Sequence, residues 1–159
     1  YENNDCGCVH GWMNTWCPGR QMQLQCDISV MLSPAIFREF LLEELERTSA
    51  WLDHAVYHMD GIEQLRHLDY ILRVKGIHML QWVQVTGQPP ITCFPEELRK
   101  IQAAGKAIVA QVSKKQLEPL LREVAPEGFL FLVTDTASKE EALEIENYMA
   151  KHSFRRRLF

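Results

Sequence analysis

Short, nearly continuous apolar runs alternate with longer amphipathic segments along most of this chain. Strands separated by helix-length segments favour βαβ units and a parallel sheet. Because the runs are apolar throughout, both faces of the sheet are expected to be covered, one by helices and the other by further protein. The predicted strands read MQLQCDISV, HAVYHM, HMLQWVQV, KAIVAQV and FLFLVTD.

Capping signals mark where several of the intervening helices begin. A serine followed by proline suits a helix start, because the serine accepts a backbone hydrogen bond and proline tolerates the first helical position. A serine with glutamine or glutamate three residues later forms a capping box. These signals are Ser33 with Pro34, Ser113 with Gln116 and Ser138 with Glu141. Helices are predicted over 34–52, 62–74, 95–104, 113–125 and 138–152.

Two folds fit this order of elements, an open doubly wound sheet and part of a (β/α)8 barrel. A complete barrel needs about 250 residues and eight strands, whereas this chain has 159 residues. The expected fold class is therefore α/β with parallel βα repeats, which form either an open doubly wound sheet or, since the chain is too short for a full barrel, half of a TIM barrel. The expected divisions are an irregular lead-in with one strand over 1–32, a βα-repeat half-barrel over 33–153 and a basic tail over 154–159.

Polar residues at the end of HAVYHMD are the first candidates for chemistry. Both candidate folds bind ligands at the carboxyl ends of their strands, which is where His58 and Asp60 are expected to lie. Asp60 would orient the His58 imidazole and raise its basicity, as a catalytic pair requires. The alternative is a buried histidine satisfied by a neighbour, with Asp60 and Gly61 forming the turn into the next helix.

Four residues near the ends of later strands are candidates for substrate binding. A tryptophan can form a flat wall of a ligand pocket, although a packed core tryptophan is the more ordinary interpretation. A buried glutamine needs a hydrogen-bond partner, and an aspartate in TDTAS also suits a loop that leads into a helix. The candidates are Trp82, Gln84, Gln111 and Asp135.

Three longer segments carry a family resemblance. Over about residues 12–152 the chain resembles the C-terminal half of the uroporphyrinogen decarboxylase superfamily, which also contains the cobalamin-dependent methyltransferases. The landmarks are SP…F…EF, H-x-D-G and GK, and HMDG and LQWVQVTG match the HLDG and IQW…G elements of one branch. The segments read LQCDISVMLSPAIFREFLLEELERTSAWLDHAVYHMDG, HLDYILRVKGIHMLQWVQVTGQPP and LRKIQAAGKAIVAQVSKKQLEPLL.

This resemblance implies a barrel with its active site at the carboxyl rim, completed by an N-terminal half that is not within this sequence. The activity it implies is decarboxylation of a tetrapyrrole, or methyl transfer to a corrinoid or thiol. The zinc methyltransferases of the superfamily bind their metal through a His-x-Cys pair. His58 matches that histidine, whereas Asp60 stands in place of the cysteine, so zinc at His58 is an expectation. The decarboxylases' late Gly-His-Gly element has no counterpart in LVTDTAS.

Two rival interpretations belong to other classes. An open set of parallel strands leaves unpaired edges, so the chain can be a non-catalytic half-barrel that assembles with itself or with a partner half. It can also be a small doubly wound binding domain, whose strand order would show a switch point. In the superfamily the segment around W..GR lies over the rim, so Trp12, Trp16 and Arg20 are expected to form a lid.

Composition and charge exclude some classes of binding partner. A net charge of −4, with basic residues clustered only at Arg155–Arg157, argues against nucleic acid. No apolar run is long enough to span a bilayer, and a cytoplasmic protein with a small-molecule or tetrapyrrole-type ligand is expected. Five cysteines cannot all pair. Cys6, Cys8, Cys17 and Cys26, with His10 nearby, lack the C-x-x-C spacing of zinc ribbons, so free thiols are the expectation.

Overall fold

The computed structural model describes residues 5–10, 13 and 15–155, and its main feature is a sheet of five parallel strands that neighbour one another in sequence order. A separate antiparallel hairpin precedes the sheet and consists of β1 (Gly7–His10) and β2 (Thr15–Pro18). The main sheet consists of β3 (Gln21–Gln25), β4 (His54–Asp60), β5 (Ile77–Val83), β6 (Ala107–Val112) and β7 (Phe129–Val133).

Helices occupy every connection between strands of the sheet, and one more follows the last strand. The α-helices are α1 (Pro34–Phe40), α2 (Leu42–Trp51), α3 (Leu68–Arg73), α4 (Pro95–Ala103), α5 (Lys114–Glu123) and α6 (Lys139–Arg155). Short 3-10 helices cover Asp27–Met31, Ile62–His67 and Ile91–Cys93.

The capping signals act as the sequence predicted. The Ser33 hydroxyl accepts a hydrogen bond from the Ile36 backbone N–H, and Ser113 forms a capping box with Gln116. The helix predicted over 34–52 is divided, because Leu41 ends α1 and α2 begins at the next residue. The predicted 62–74 helix begins as a 3-10 helix and becomes α-helical only in α3.

Side chains from the helices pack against one face of the sheet and build the main core there. The strand residues in this core are Leu24, Ala55, Tyr57, Met59, Ile77, Leu80, Trp82, Ile108, Ala110 and Val112, and the helix residues include Phe37, Leu45, Ile71, Leu98, Ile101, Leu117 and Leu120. Burial of these apolar side chains is the main term that holds the helices on the sheet.

The opposite face of the sheet carries a smaller apolar cluster to which no described helix contributes. Val56 and Val109 are buried there under Met13, with Met79, Leu130 and Leu132 packed around them. The hairpin supplies the nearest cover. Because no described helix packs on this side, it is called the uncovered face below, although Met13 and the hairpin shield part of it.

These features confirm an α/β fold with parallel βα repeats. A doubly wound domain would show a switch point and helices on both faces, whereas this sheet runs in simple succession with its core helices on one face. The lead-in predicted to hold one strand holds three, β1 to β3. Of the predicted basic tail, α6 includes Arg155, and residues 156–159 lie outside the described residues.

No helix among the described residues is both long enough and apolar enough to cross a membrane.

Candidate functional site

The candidate catalytic pair lies at the carboxyl end of β4. His58 and Asp60 are two residues apart on one strand, so both side chains project from the uncovered face. His58 Nε2 lies 3.0 Å from Asp60 Oδ1. The side chain of His58 is 11% exposed and that of Asp60 is 29% exposed, so Asp60 is the member that a ligand would reach first. Their proximity agrees with the sequence prediction, and their role stays a prediction.

Two glutamines extend this pair across the neighbouring strands. Gln81 on β5 stands beside His58 in the strand register, and its Oε1 lies 2.9 Å from His58 Nδ1. Gln23 on β3 donates from Nε2 to the same Gln81 oxygen over 3.1 Å. Three adjacent strands therefore contribute to one line of hydrogen bonds on the uncovered face.

A second histidine joins this line from the hairpin. Burial lowers the pKa of His10 on β1, a hydrogen bond with the Gln23 side chain opposes that shift, and the nearby His58 adds to it. The hairpin therefore brings His10 to the end of the line formed by the sheet residues. The polar row is the name used below for Asp60, His58, Gln81, Gln23 and His10.

The partners of His58 determine which proton arrangements the polar row can hold. Both ring nitrogens face oxygen acceptors, Gln81 Oε1 and Asp60 Oδ1, and only the imidazolium can donate from both nitrogens. If the side-chain amides of Gln81 and Gln23 both flip, so that their oxygen and nitrogen atoms exchange places, the Gln81 nitrogen donates to His58 Nδ1. The neutral imidazole then keeps its Nε2–H on Asp60. In both arrangements the Nε2–H of His58 is donated to Asp60 Oδ1.

Gly61 fixes the position of Asp60 at the end of the strand. Its φ of 66° and ψ of −168° lie in a region that glycine alone adopts readily. The Gly61 N–H donates to Val83 O over 3.0 Å, and the next N–H, from Ile62, donates to Gln88 Oε1 over 3.0 Å. The Asp-Gly sequence therefore forms the turn after β4, as the alternative interpretation of this motif predicted, and the functional role of Asp60 stays a prediction.

Trp82 does not lie with the polar row. Its side chain is 3% exposed and belongs to the core on the helix face, where its ring centroid is 5.2 Å from that of Phe94. The ordinary core interpretation therefore describes its position. Gln84 follows β5 in an exposed loop and donates to Gln88 O over 2.8 Å, so it supports the loop beside Gly61.

The remaining two candidates lie near the carboxyl ends of β6 and β7, at the same edge of the sheet. Gln111 is exposed and lies two residues after Val109, which places it on the uncovered face with His58. Asp135 lies beyond β7 and accepts a hydrogen bond from the Lys114 N–H over 2.8 Å. Gln111 is therefore near the rim of the site, whereas Asp135 secures the start of α5.

The donor set does not fit zinc. Within the described residues no group of three or more histidine, cysteine, aspartate or glutamate side chains could hold a metal ion. His58 already uses one ring nitrogen on Gln81 and the other on Asp60, so a metal would have to replace one of these bonds. The expectation of zinc at His58 is not supported by this geometry, and neither is a cluster at Cys6, Cys8, Cys17 and Cys26.

The proposed lid residues also lie elsewhere or outside the described residues. Arg20 immediately precedes β3, at the amino end of the sheet, where it donates to Asp53 over 3.1 Å and stacks over Trp51. Hydrogen bonds from Arg20 lower the pKa of Asp53 to about 2. Trp16 is exposed on the outer side of the hairpin, and Trp12 lies outside the described residues. Arg20 therefore cannot close over the carboxyl rim.

Sequence reasoning missed Gln81, Gln23 and His10. A usable signal was present, because a glutamine in the middle of an apolar strand must find a buried hydrogen-bond partner.

Comparison of this chain with family models, with curated proteins and with solved structures gave no match.

Proposed function

We propose that this chain is a uroporphyrinogen decarboxylase-like protein that binds a tetrapyrrole-type or corrinoid ligand on the uncovered face. The observation that carries this proposal is the hydrogen-bonded pair of His58 and Asp60, which lies at the carboxyl end of a parallel βα sheet, the end where such folds bind ligands. The strand order in simple succession, with its helices on one face, supports the same assignment.

The chemistry of the pair suits a ligand that carries N–H donors. The Asp60 carboxylate is partly exposed and is held in one orientation by His58 Nε2, so it can accept hydrogen bonds from pyrrole N–H groups. His58 supports the carboxylate from beneath and is itself held by Gln81. Asp60 is therefore proposed as the ligand contact and His58 as the group that orients it.

The reaction proposed for this site uses Asp60 as the proton donor. Loss of CO2 from a carboxylate side chain leaves an electron pair on carbon, and that carbon must take up one proton. From the imidazolium form, His58 Nε2 passes its proton to Asp60, Asp60 gives it to that carbon, and the neutral imidazole keeps its Nδ1–H on Gln81 Oε1. Methyl transfer to a corrinoid or thiol is the second reaction that the resemblance implies. No step through zinc is derived, because the donor set does not fit the metal.

Substitution of Asp60 by asparagine is expected to weaken ligand binding about 10- to 100-fold, because a hydrogen bond to a charged group contributes roughly 1.5–3 kcal/mol. The measurement is titration of the full chain with a carboxylated porphyrin and, separately, with a cobalamin, followed by tryptophan fluorescence.

The matched control for this titration is Asp69→Asn. Asp69 pairs with Lys100 on the helix side at 2.5 Å, so this variant removes the same charge away from the site and should bind like the wild type. Failure of the wild type to bind either ligand, or equal affinities for Asp60→Asn and the wild type, would contradict the proposal.

A second candidate function is an assembly role, as a half-barrel that pairs with itself. The uncovered face supports it, because Met79, Leu130 and Leu132 are apolar and no described helix packs on them. The strands β3 and β7 also end the sheet without a further strand beside them among the described residues, and exposed edges favour association.

Sedimentation velocity tests this alternative. The wild type is expected to sediment as a dimer at micromolar concentration, and Leu132→Asp is expected to shift it to monomer, because a buried unpaired carboxylate opposes association. Leu143→Asp on the exposed surface of α6 is the control and should leave the dimer intact. A wild type that stays monomeric up to about 100 μM would rule out self-assembly in the usual affinity range.

A further inference from the structure

Cys8 and Cys17 lie directly opposite each other in the β1–β2 hairpin. Residues directly opposite in an antiparallel pair have Cα atoms about 4.5–5.5 Å apart, which lies within the range of about 4.4–6.8 Å that a disulfide spans. Their side chains project from the same side of the hairpin. We propose that Cys8 and Cys17 form a reversible disulfide across this hairpin.

The surroundings of the two thiols favour this pair over the other cysteines. Cys8 and Cys17 are both half-buried, whereas the alternate residues Val9 and Trp16 are exposed on the outer side of the hairpin. Burial and the neighbouring Cys8 raise the pKa of the Cys17 thiol, which agrees with two sulfur atoms in close proximity. Cys6 lies outside the strand pair, next to Gly19, to whose N–H its carbonyl oxygen is bonded.

Thiol–disulfide exchange supplies a balanced route to this bond. The thiolate of Cys8 attacks a small disulfide such as glutathione disulfide, and a mixed disulfide forms as one thiol leaves. The Cys17 thiol gives up its proton, attacks the Cys8 sulfur and releases the second small thiol. Two protein thiols are oxidised and one small disulfide is reduced to two thiols. The exchange balances in the same way if Cys17 attacks first and Cys8 second.

The bond would act on the polar row through His10. An isolated two-stranded hairpin is marginally stable, and a cross-link between its strands limits their separation. His10 lies two residues after Cys8 on the same strand and shares a hydrogen bond with Gln23. The disulfide would therefore hold His10 on the row. Any effect of this disulfide on ligand binding at the polar row rests on the proposed function, whereas the formation of the disulfide does not.

The bond is tested by equilibrating the reduced full chain with glutathione redox buffers, alkylating the remaining thiols and cleaving after methionine with cyanogen bromide. Cleavage after Met13 and Met22 separates fragment 1–13 from fragment 14–22, which contains Cys17 alone. Mass spectrometry should find these two fragments linked, with three of the five thiols alkylated. Hydrogen exchange of the hairpin amides should slow by at least about tenfold on oxidation.

Single substitutions identify the partner in fragment 1–13. The link should persist in Cys6→Ser and disappear in Cys8→Ser and Cys17→Ser. The oxidation of the wild type is repeated in urea, so that the test remains valid if a variant fails to fold. In the unfolded wild type the disulfide links should be distributed over several cysteine pairs. Five free thiols in excess glutathione disulfide, a link that persists in Cys8→Ser, or the same links with and without urea would overturn the proposal. None of these outcomes depends on ligand binding.

Discussion

Phe37→Ala is expected to lower the free energy of unfolding by about 3–5 kcal/mol, the usual cost of removing a buried phenylalanine ring. Phe37 is 0% exposed. Its ring stacks on His67, with centroids 4.3 Å apart and planes 10° apart, and it also faces Tyr70. Phe37 therefore packs α1 against the 3-10 helix Ile62–His67 and against α3. Urea denaturation of the wild type and the variant measures the change.

Phe40→Ala on the same helix is the matched control. Phe40 is 67% exposed, so the same truncation three residues later should change the stability by less than about 0.5 kcal/mol. Comparable losses for the two variants would show that α1 is packed differently from the structure. A large loss for Phe40→Ala that grows with protein concentration would instead indicate that a second chain covers this surface.

Helix starts and most strand positions were predictable because they depend on local chemistry. The exception is the predicted strand MQLQCDISV, which is a strand only in its first part, β3, and a 3-10 helix over Asp27–Met31. The Ser33 cap and the Ser113 capping box satisfy N–H groups within a few residues of the serine. The proximity of His58 and Asp60 also follows from local geometry, since residues two apart on a strand share a face. These features could be obtained from short segments of the sequence alone.

Which side chains of a strand point toward the helices and which point to the opposite face could not be predicted in the same way. A strand buried on both sides shows little hydrophobic alternation, so HMLQWVQV does not reveal which of Gln81 and Trp82 meets the helices. The sequence prediction placed Trp82 at the site, whereas the structure places Gln81 there and Trp82 in the helix-side core. The choice depends on packing by α4 and its neighbours, which are distant in sequence.

Buried polar residues were missed for a related reason. His67, which lies in a predicted helix and was not singled out from the sequence as a site residue, is fully buried, with Nε2 2.9 Å from Ser29 O. Lys106 was expected to begin a strand, yet its ammonium group donates to Val74 O and Ile77 O from a buried position. Each burial is offset by hydrogen bonds to partners about 30 residues away or more, which no local pattern reveals.

The polar row depends on the turn that follows Asp60, so Gly61→Ala is expected to disturb both stability and the site. The φ of 66° and ψ of −168° at Gly61 cost an alanine about 1–3 kcal/mol of backbone strain. An added Cβ would also overlap the Gln88 amide. If Gln88 moves away, its bond to the Ile62 N–H is lost, at a cost of about 1 kcal/mol.

Gly105→Ala is the matched control, because it introduces backbone strain without the steric overlap that an added Cβ meets at Gly61. Gly105 has a φ of +72° with no atom within 4 Å of an added Cβ, so its replacement should cost only about 1 kcal/mol. Gly61→Ala should therefore be the more destabilising variant in urea, and it should also change the imidazole NMR signals of His58, which Gly105→Ala should leave in place. Equal losses of stability with unchanged His58 signals would mean that Gly61 does not set the position of Asp60. In that case the Asp-Gly pair would be an ordinary turn, and the orientation of the carboxylate would have to come from His58 alone.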